Sequence, residues 1–182
     1  MNPKHGTITG VNGNLISVAF EDAVIQNEVA YALLDDIRLK AEVIRVRGRQ
    51  ADLQVFEDTT GLRVGGPVEF TGQMLSVELG PGLLGQIYDG LQNPLPKLAE
   101  QCGFFLQRGV YLPAVPRDRR WEYTPAVKPG ASVRAGDTLG TVPEGIFKHR
   151  ILAPLDLDGT WAVEDAAPAG SYAVDQVVAR LR

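Results

Sequence analysis

The chain has 182 residues and a net charge of −4, with Lys+Arg 18 against Asp+Glu 22. That acidic balance speaks against a nucleic-acid binder, and no apolar run approaches the ~18 residues of a membrane-spanning helix. Cys102 is the lone cysteine and His5 and His149 the only histidines, which excludes an internal disulfide and a four-ligand zinc site. The N-terminal MNPKHGTITG lacks the apolar core of a secretory signal, and a cytosolic setting is the expectation. Glycine (20) and proline (12) are spread along the chain, which interrupts long helices and predicts a mainly β protein of short strands.

In chain order, Gly6–Val11 and Leu15–Phe20 read as strands joined through Asn12-Gly13-Asn14, a strong hairpin signal. Glu28–Leu34 is a further apolar run. Ala41–Val46 alternates, which predicts Ile44 and Val46 on one face. Arg47-Gly48-Arg49-Gln50 turns the chain, and Ala51–Phe56 places Leu53 and Val55 on one face. With Val68–Phe70, this spacing predicts a small closed barrel over 1–70. Met74–Leu79 reads as one more strand. Pro94–Gln101 is the best helix candidate, with proline near its start and Gly103 past its end, inside a connector spanning 71–109. Residues 110–182 read as a second β module, a flattened barrel or sandwich whose short strands alternate with Gly and Pro turns.

Chemical motifs are sparse. GPGLLG at Gly80–Gly85 matches the dinucleotide pattern G-x-G-x-x-G, but Pro81 stiffens the loop and no βαβ unit surrounds it. G-x-x-x-x-G-K-[ST] does not occur in the sequence. The acid pairs Glu21-Asp22, Asp35-Asp36, Glu57-Asp58 and Glu164-Asp165 read as solvated turns. Cys102, beside Phe104 and Phe105, reads as a buried structural thiol. Arg117, Arg119, Arg120 and Trp121 form a basic-aromatic cluster suited to an anion or a protein partner. The second module also resembles a biotinyl or lipoyl carrier, but the position of the acceptor lysine holds Ile146, and the nearest lysine is Lys148.

Taken in order, the motifs support a closer resemblance. AEVIRVRGRQADLQVFEDTTGLRVGGPV at Ala41–Val68, VELGPGLLGQIYDGLQNPL at Val77–Leu95 and WEYTPAVKPGASVRAGDTLGTVPE at Trp121–Glu144 are similar to segments of one family. That family is the catalytic A subunit of V-type and archaeal/bacterial A-type rotary ATPases, in its N-terminal part. HRILAP and AGSYAVDQVV continue the match. The resemblance implies an N-terminal barrel (1–70) that joins neighbouring A and B subunits into a crown. It further implies the start of the nucleotide domain (71–109) and an inserted bulge (110–182) facing the peripheral stalk. The P-loop and catalytic acid would lie downstream, as would ATP and Mg, so no catalytic, cofactor or metal residue is expected within these residues. Expected interface residues are Arg47 and Arg49 on the barrel, and Arg117, Arg119, Arg120, Trp121, Phe147, Lys148 and His149 on the bulge. The setting implied is peripheral, on the cytoplasmic face of a membrane, without direct insertion and without nucleic acid. The sequence could be a segment of a longer catalytic subunit or a short paralogue that kept crown and bulge. In the first case Leu83, Leu84, Ile87 and Tyr88 should present an exposed apolar patch; in the second they should be buried. A carrier or a stand-alone assembly module is the alternative function.

Overall fold

The computed structural model describes residues 4–103 and 105–182. The chain is mainly β, and its contacts divide it into two units. The first contains the residues up to Val77 together with Lys97–Tyr111; the second contains Glu78–Pro96 and Leu112–Arg182.

Six strands build the first unit: β1 (Lys4–Asn12), β2 (Leu15–Phe20), β3 (Glu28–Leu34), β4 (Ile37–Arg47), β5 (Gln50–Val55) and β6 (Pro67–Met74). They close into a barrel in the order β1-β2-β5-β4-β3-β6, which leaves no free sheet edge. Period-two alternation fills it: Ile8, Ile16, Val18, Leu39, Val43, Leu53, Val55 and Val68 are fully buried. Phe20 and Phe70 meet edge to face with centroids 5.8 Å apart. Gly6 makes that packing possible, because a Cβ there would lie 2.6 Å from Val18 Cγ1 and 2.8 Å from Phe70 Cε2. The β1–β2 and β4–β5 hairpins close through two-residue turns that open with a left-handed glycine, Gly13 (φ 57°) and Gly48 (φ 59°). Such primed turns match the twist of the flanking strands.

Two strand expectations are corrected. Val43 is buried and Ile44 is exposed, because a bulge between Val43 and Arg45 lets Val46 return to the core side while Ile44 stays outside. Residues 75–79 are not strand: β6 ends at Met74, and Leu75, Val77 and Leu79 are exposed.

A returning segment is fastened to the barrel by one carboxylate of the Glu57-Asp58 pair. Glu57 accepts hydrogen bonds from Gly109 N (3.0 Å) and from the Tyr111 hydroxyl (2.6 Å). Lys40 N donates to that hydroxyl at 2.7 Å. Arg108 donates to the carbonyls of Asp58 and Thr60. Gly109 is left-handed (φ 74°), and a Cβ there would meet Ile37 Cγ2 at 2.6 Å. Burial and the adjacent Glu57 push the Tyr111 phenol above its ordinary range. Glu57 therefore carries packing that a solvated turn would not.

The helix α1 (Leu95–Cys102) ends where Gly103 N bonds Ala99 O at 2.9 Å with φ 72°, the left-handed cap that glycine favours. Cys102 is only half-buried on its last turn, contrary to the buried thiol expected. Phe104 lies outside the described residues.

The second unit holds β7 (Arg120–Pro125), β8 (Ser132–Val133), β9 (Thr138–Glu144), β10 (Phe147–Leu152), β11 (Trp161–Ala166), β12 (Gly170–Ala173) and β13 (Ala179–Leu181). One sheet runs β10-β9-β7-β12 and another β13-β11-β8. Val133, Leu139, Ala153 and Val163 form one core; Trp121, Tyr123 and Val142 form another, with Ile151 and Tyr172 against them. Gly140 lets Tyr123 cross the sheet: a Cβ there would lie 2.1 Å from the ring, whose hydroxyl donates to Leu139 O at 3.0 Å.

Candidate functional site: the Glu144 clamp and its cleft

One face of the β10-β9-β7-β12 sheet, with the loop following Glu78, encloses a cleft of about 690 Å³. Trp121 and Tyr123 on β7 and Val142 and Glu144 on β9 line it at alternating positions, and the edge strand β10 contributes His149, Arg150, Ile151 and Leu152.

Glu144 organises its rim. The side chain is buried, and its Oε1 accepts Gly82 N at 2.6 Å and Leu84 N at 3.2 Å. Oε2 lies 2.9 Å from His149 Nδ1. A carboxylate only accepts, so Nδ1 carries the proton. Burial alone pushes Glu144 up; the two backbone N–H groups and His149 outweigh it and hold the carboxyl below its usual range. Tyr88, whose hydroxyl donates to Ala114 O at 3.2 Å, feels the same carboxylate: burial, and then the Glu144 charge, push its phenol up.

These contacts explain the Gly80–Gly85 motif. Gly82 is left-handed (φ 103°) and packs against Pro116 and Trp121, where a Cβ would come within 3.1 and 3.2 Å. Its N–H and that of Leu84 converge as they would on a phosphate oxygen. The anion they hold is the chain's own carboxylate, Glu144.

The basic-aromatic cluster is engaged within the same unit. Arg117 pairs with Glu78, whose other oxygen accepts Val115 N at 3.0 Å. The Arg119 guanidinium lies 3.9 Å above the Trp121 ring, and Arg120 donates to Ser171 O. Trp121 is buried, and its Nε1 has no hydrogen-bond partner among the described residues. Arg117 and Arg120 are thus bound to the chain's own acceptors, and Arg119 is stacked.

Phe147, Lys148 and His149 are consecutive on β10 and divide in role. His149 turns inward to Glu144, whereas Phe147 and Lys148 are exposed. The hairpin tip consists of Gly145 (φ 60°) and Ile146, which is 93% exposed. A swinging-arm lysine would need the tip, and Lys148 stands within the strand instead. On the barrel, Arg47 pairs with Asp52 at 2.6 Å, and that hydrogen bond leads the causes that lower the Asp52 carboxyl. Arg49 is exposed in the turn between β4 and β5. Glu144, a lone glutamate at a strand end, carries no spacing signal in the sequence, and Glu57 reads there only as half of an acid pair in a solvated turn.

A closed barrel followed by a sandwich of short strands, in one chain, defines a barrel-plus-sandwich protein. Residues 8–72 match the model of the ATP synthase alpha/beta family, beta-barrel domain. Residues 112–182 match that of the ATPsynthase alpha/beta subunit barrel-sandwich domain. The chain belongs to the ATP synthase alpha/beta family. It is 55% identical over 181 residues to the V-type ATP synthase alpha chain of Treponema denticola, covering 100% of this chain and 31% of that one. To V-type ATP synthase alpha chain 1 of Treponema pallidum it is 57% identical over 182 residues, with the same coverage. The V-type ATP synthase alpha chain of Borrelia garinii matches at 50% over 174 residues, 96% of this chain and 30% of its own length. The chain thus spans less than a third of these relatives, in their N-terminal parts.

Proposed function

We propose that these residues are the N-terminal structural and assembly region of the catalytic A (alpha) subunit of a V/A-type rotary ATPase. The parent subunit hydrolyses or makes ATP in step with proton or sodium transport. The barrel joins the barrels of neighbouring B subunits, residues 71–109 begin the nucleotide domain, and residues 110–182 are the bulge that meets the peripheral stalk. The assembly sits on the cytoplasmic face, attached to the membrane through other subunits.

The observation that carries this reading is the full-length coverage of the match. The whole chain aligns with alpha chains more than three times its length, at 55% identity. Of Leu83, Leu84, Ile87 and Tyr88, Leu84 and Ile87 are exposed while Leu83 and Tyr88 are half-buried; the two exposed side chains, with Leu79, add support as apolar surface that a continuing nucleotide domain would cover. Helices of membrane-spanning length and apolarity are absent among the described residues.

Taken by itself, the chain neither binds nor hydrolyses ATP. Phosphoryl transfer needs a phosphate-cradling loop, a lysine and a metal-binding hydroxyl as a set. The sequence lacks that motif, and the Gly80–Gly85 loop already holds Glu144. Titration calorimetry with Mg·ATP should give no binding heat, while mixing with the matching full-length B subunit should give a complex on gel filtration. Micromolar ATP binding would overturn the inactivity; failure to associate with B would overturn the assembly role.

A further inference from the structure

β10 is an edge of the β10-β9-β7-β12 sheet. Among the described residues β10 pairs with β9 alone, through Phe147↔Glu144, Lys148↔Pro143, His149↔Val142, Arg150↔Thr141 and Ile151↔Gly140, then, past an irregularity, Leu152↔Thr138. The two-residue turn makes Phe147↔Glu144 a hydrogen-bonded pair, so Phe147, His149 and Ile151 direct their backbone groups back to β9. Pro143, which has no N–H, accordingly falls opposite Lys148 at a non-bonded position. The N–H and C=O of Lys148 and Arg150 therefore point outward from the sheet.

Side chains add selectivity to that open ladder. Lys148 and Arg150 share one face of β10, and both are exposed. Their cross-strand neighbours are Pro143 and Thr141, and neither cation has an ion pair among the described residues. His149 and Ile151 stand on the opposite face and border the cleft, whose lining Arg150 also joins from the sheet edge. Ile146 and Phe147, 93% and 58% exposed, extend this face as an apolar tip.

We infer that β10 is a strand-addition site for an extended segment of a partner protein with an acidic–apolar–acidic pattern. The main chain of the segment pairs with Lys148 and Arg150. Its two acids stand opposite those cations, where opposite charges across a sheet are favourable. Its intervening apolar residue lies over His149 and Ile151, against the mouth of the cleft. A basic or neutral strand would leave the Lys148 and Arg150 charges facing like charge or nothing. The inference rests on this hairpin alone and is independent of which assembly the chain enters.

A short synthetic peptide of alternating Glu and Val provides the probe, with an alternating Lys–Val peptide as its charge-reversed counterpart. Residue-resolved amide exchange on the chain is the readout. The Glu–Val peptide should slow exchange at Lys148 and Arg150 by at least about tenfold, leaving His149 unchanged. The Lys–Val peptide should not, nor should a Glu–Val peptide N-methylated on its pairing edge. In the doubly reversed variant Lys148→Glu, Arg150→Glu the preference should invert. Equal protection by both peptides of opposite charge, or none at these two amides, overturns the inference. Protection that grows with protein concentration before peptide is added also overturns it, because the edge then takes a second copy of this chain. If the reversed variant fails to fold, the comparison of peptides on the native chain decides alone.

Discussion

Replacing Glu144 should loosen the second unit in a way that depends on charge, geometry and pH together. Glu144→Ala strands three donors, namely Gly82 N, Leu84 N and His149 Nδ1. An unsatisfied buried donor costs about 1–3 kcal/mol. The open cleft lets water reach part of this rim, so about 3–5 kcal/mol is the expected total for the three. Glu144→Gln keeps an acceptor for Gly82 N and loses the charge assistance, a cost of about 1–2 kcal/mol. The pH dependence has a definite sign. The folded-state carboxyl is held below its ordinary value of 4.5. Its contribution is therefore present above that value and is lost as pH falls through the lower folded value. Both tryptophans, Trp121 and Trp161, belong to the second unit, so urea unfolding followed by tryptophan fluorescence reports on that unit. At pH 7 the midpoints should fall in the order wild type, Glu144→Gln, Glu144→Ala. Well below pH 4 the wild type and Glu144→Gln should converge. Equal midpoints for wild type and Glu144→Ala at neutral pH, or a gap to Glu144→Gln that persists in acid, would refute the clamp.

Two further perturbations test the packing. Gly140→Ala places a methyl inside the Tyr123 ring, so it should destabilise the second unit by at least about 1–3 kcal/mol, read by the same fluorescence; an unchanged midpoint would show that the ring can move aside. Tyr111→Phe removes the hydroxyl shared by Glu57 and Lys40 N and should cost the barrel about 1–2 kcal/mol, measured by amide exchange at Leu53 and Phe70. Because the folded Tyr111 phenol lies above its ordinary value of 10.0, its contribution is whole below that pH and declines above it. The wild type and variant should therefore approach each other in alkali, and a constant difference across that range would exclude the phenol as the cause.

Much of the architecture was legible in local pattern. The alternation of Ala51, Leu53 and Val55, the Gly13 and Gly48 turns, and the helix between Pro94 and Gly103 each rest on a preference expressed within a few residues. The family resemblance was legible too, because it rests on ordered motifs along the whole chain. Local pattern could not show the bulge that sends Ile44 outward, since a bulge is a property of a pair of strands. Nor could it show that residues 75–79 lack a neighbouring strand.

The sequence by itself determined a mainly β chain, its turns, and the absence of a phosphate-binding motif with lysine. Only the tertiary structure decided which carboxylates matter. Glu57 and Glu144 have unremarkable local surroundings; they become clamps because the backbone N–H groups of Gly109, Gly82 and Leu84, distant in sequence, converge on them. The same is true of the glycine-rich loop. Its pattern announces converging N–H groups, and the fold supplies Glu144 as their acceptor, because a buried donor must find an acceptor and a buried carboxylate must find donors.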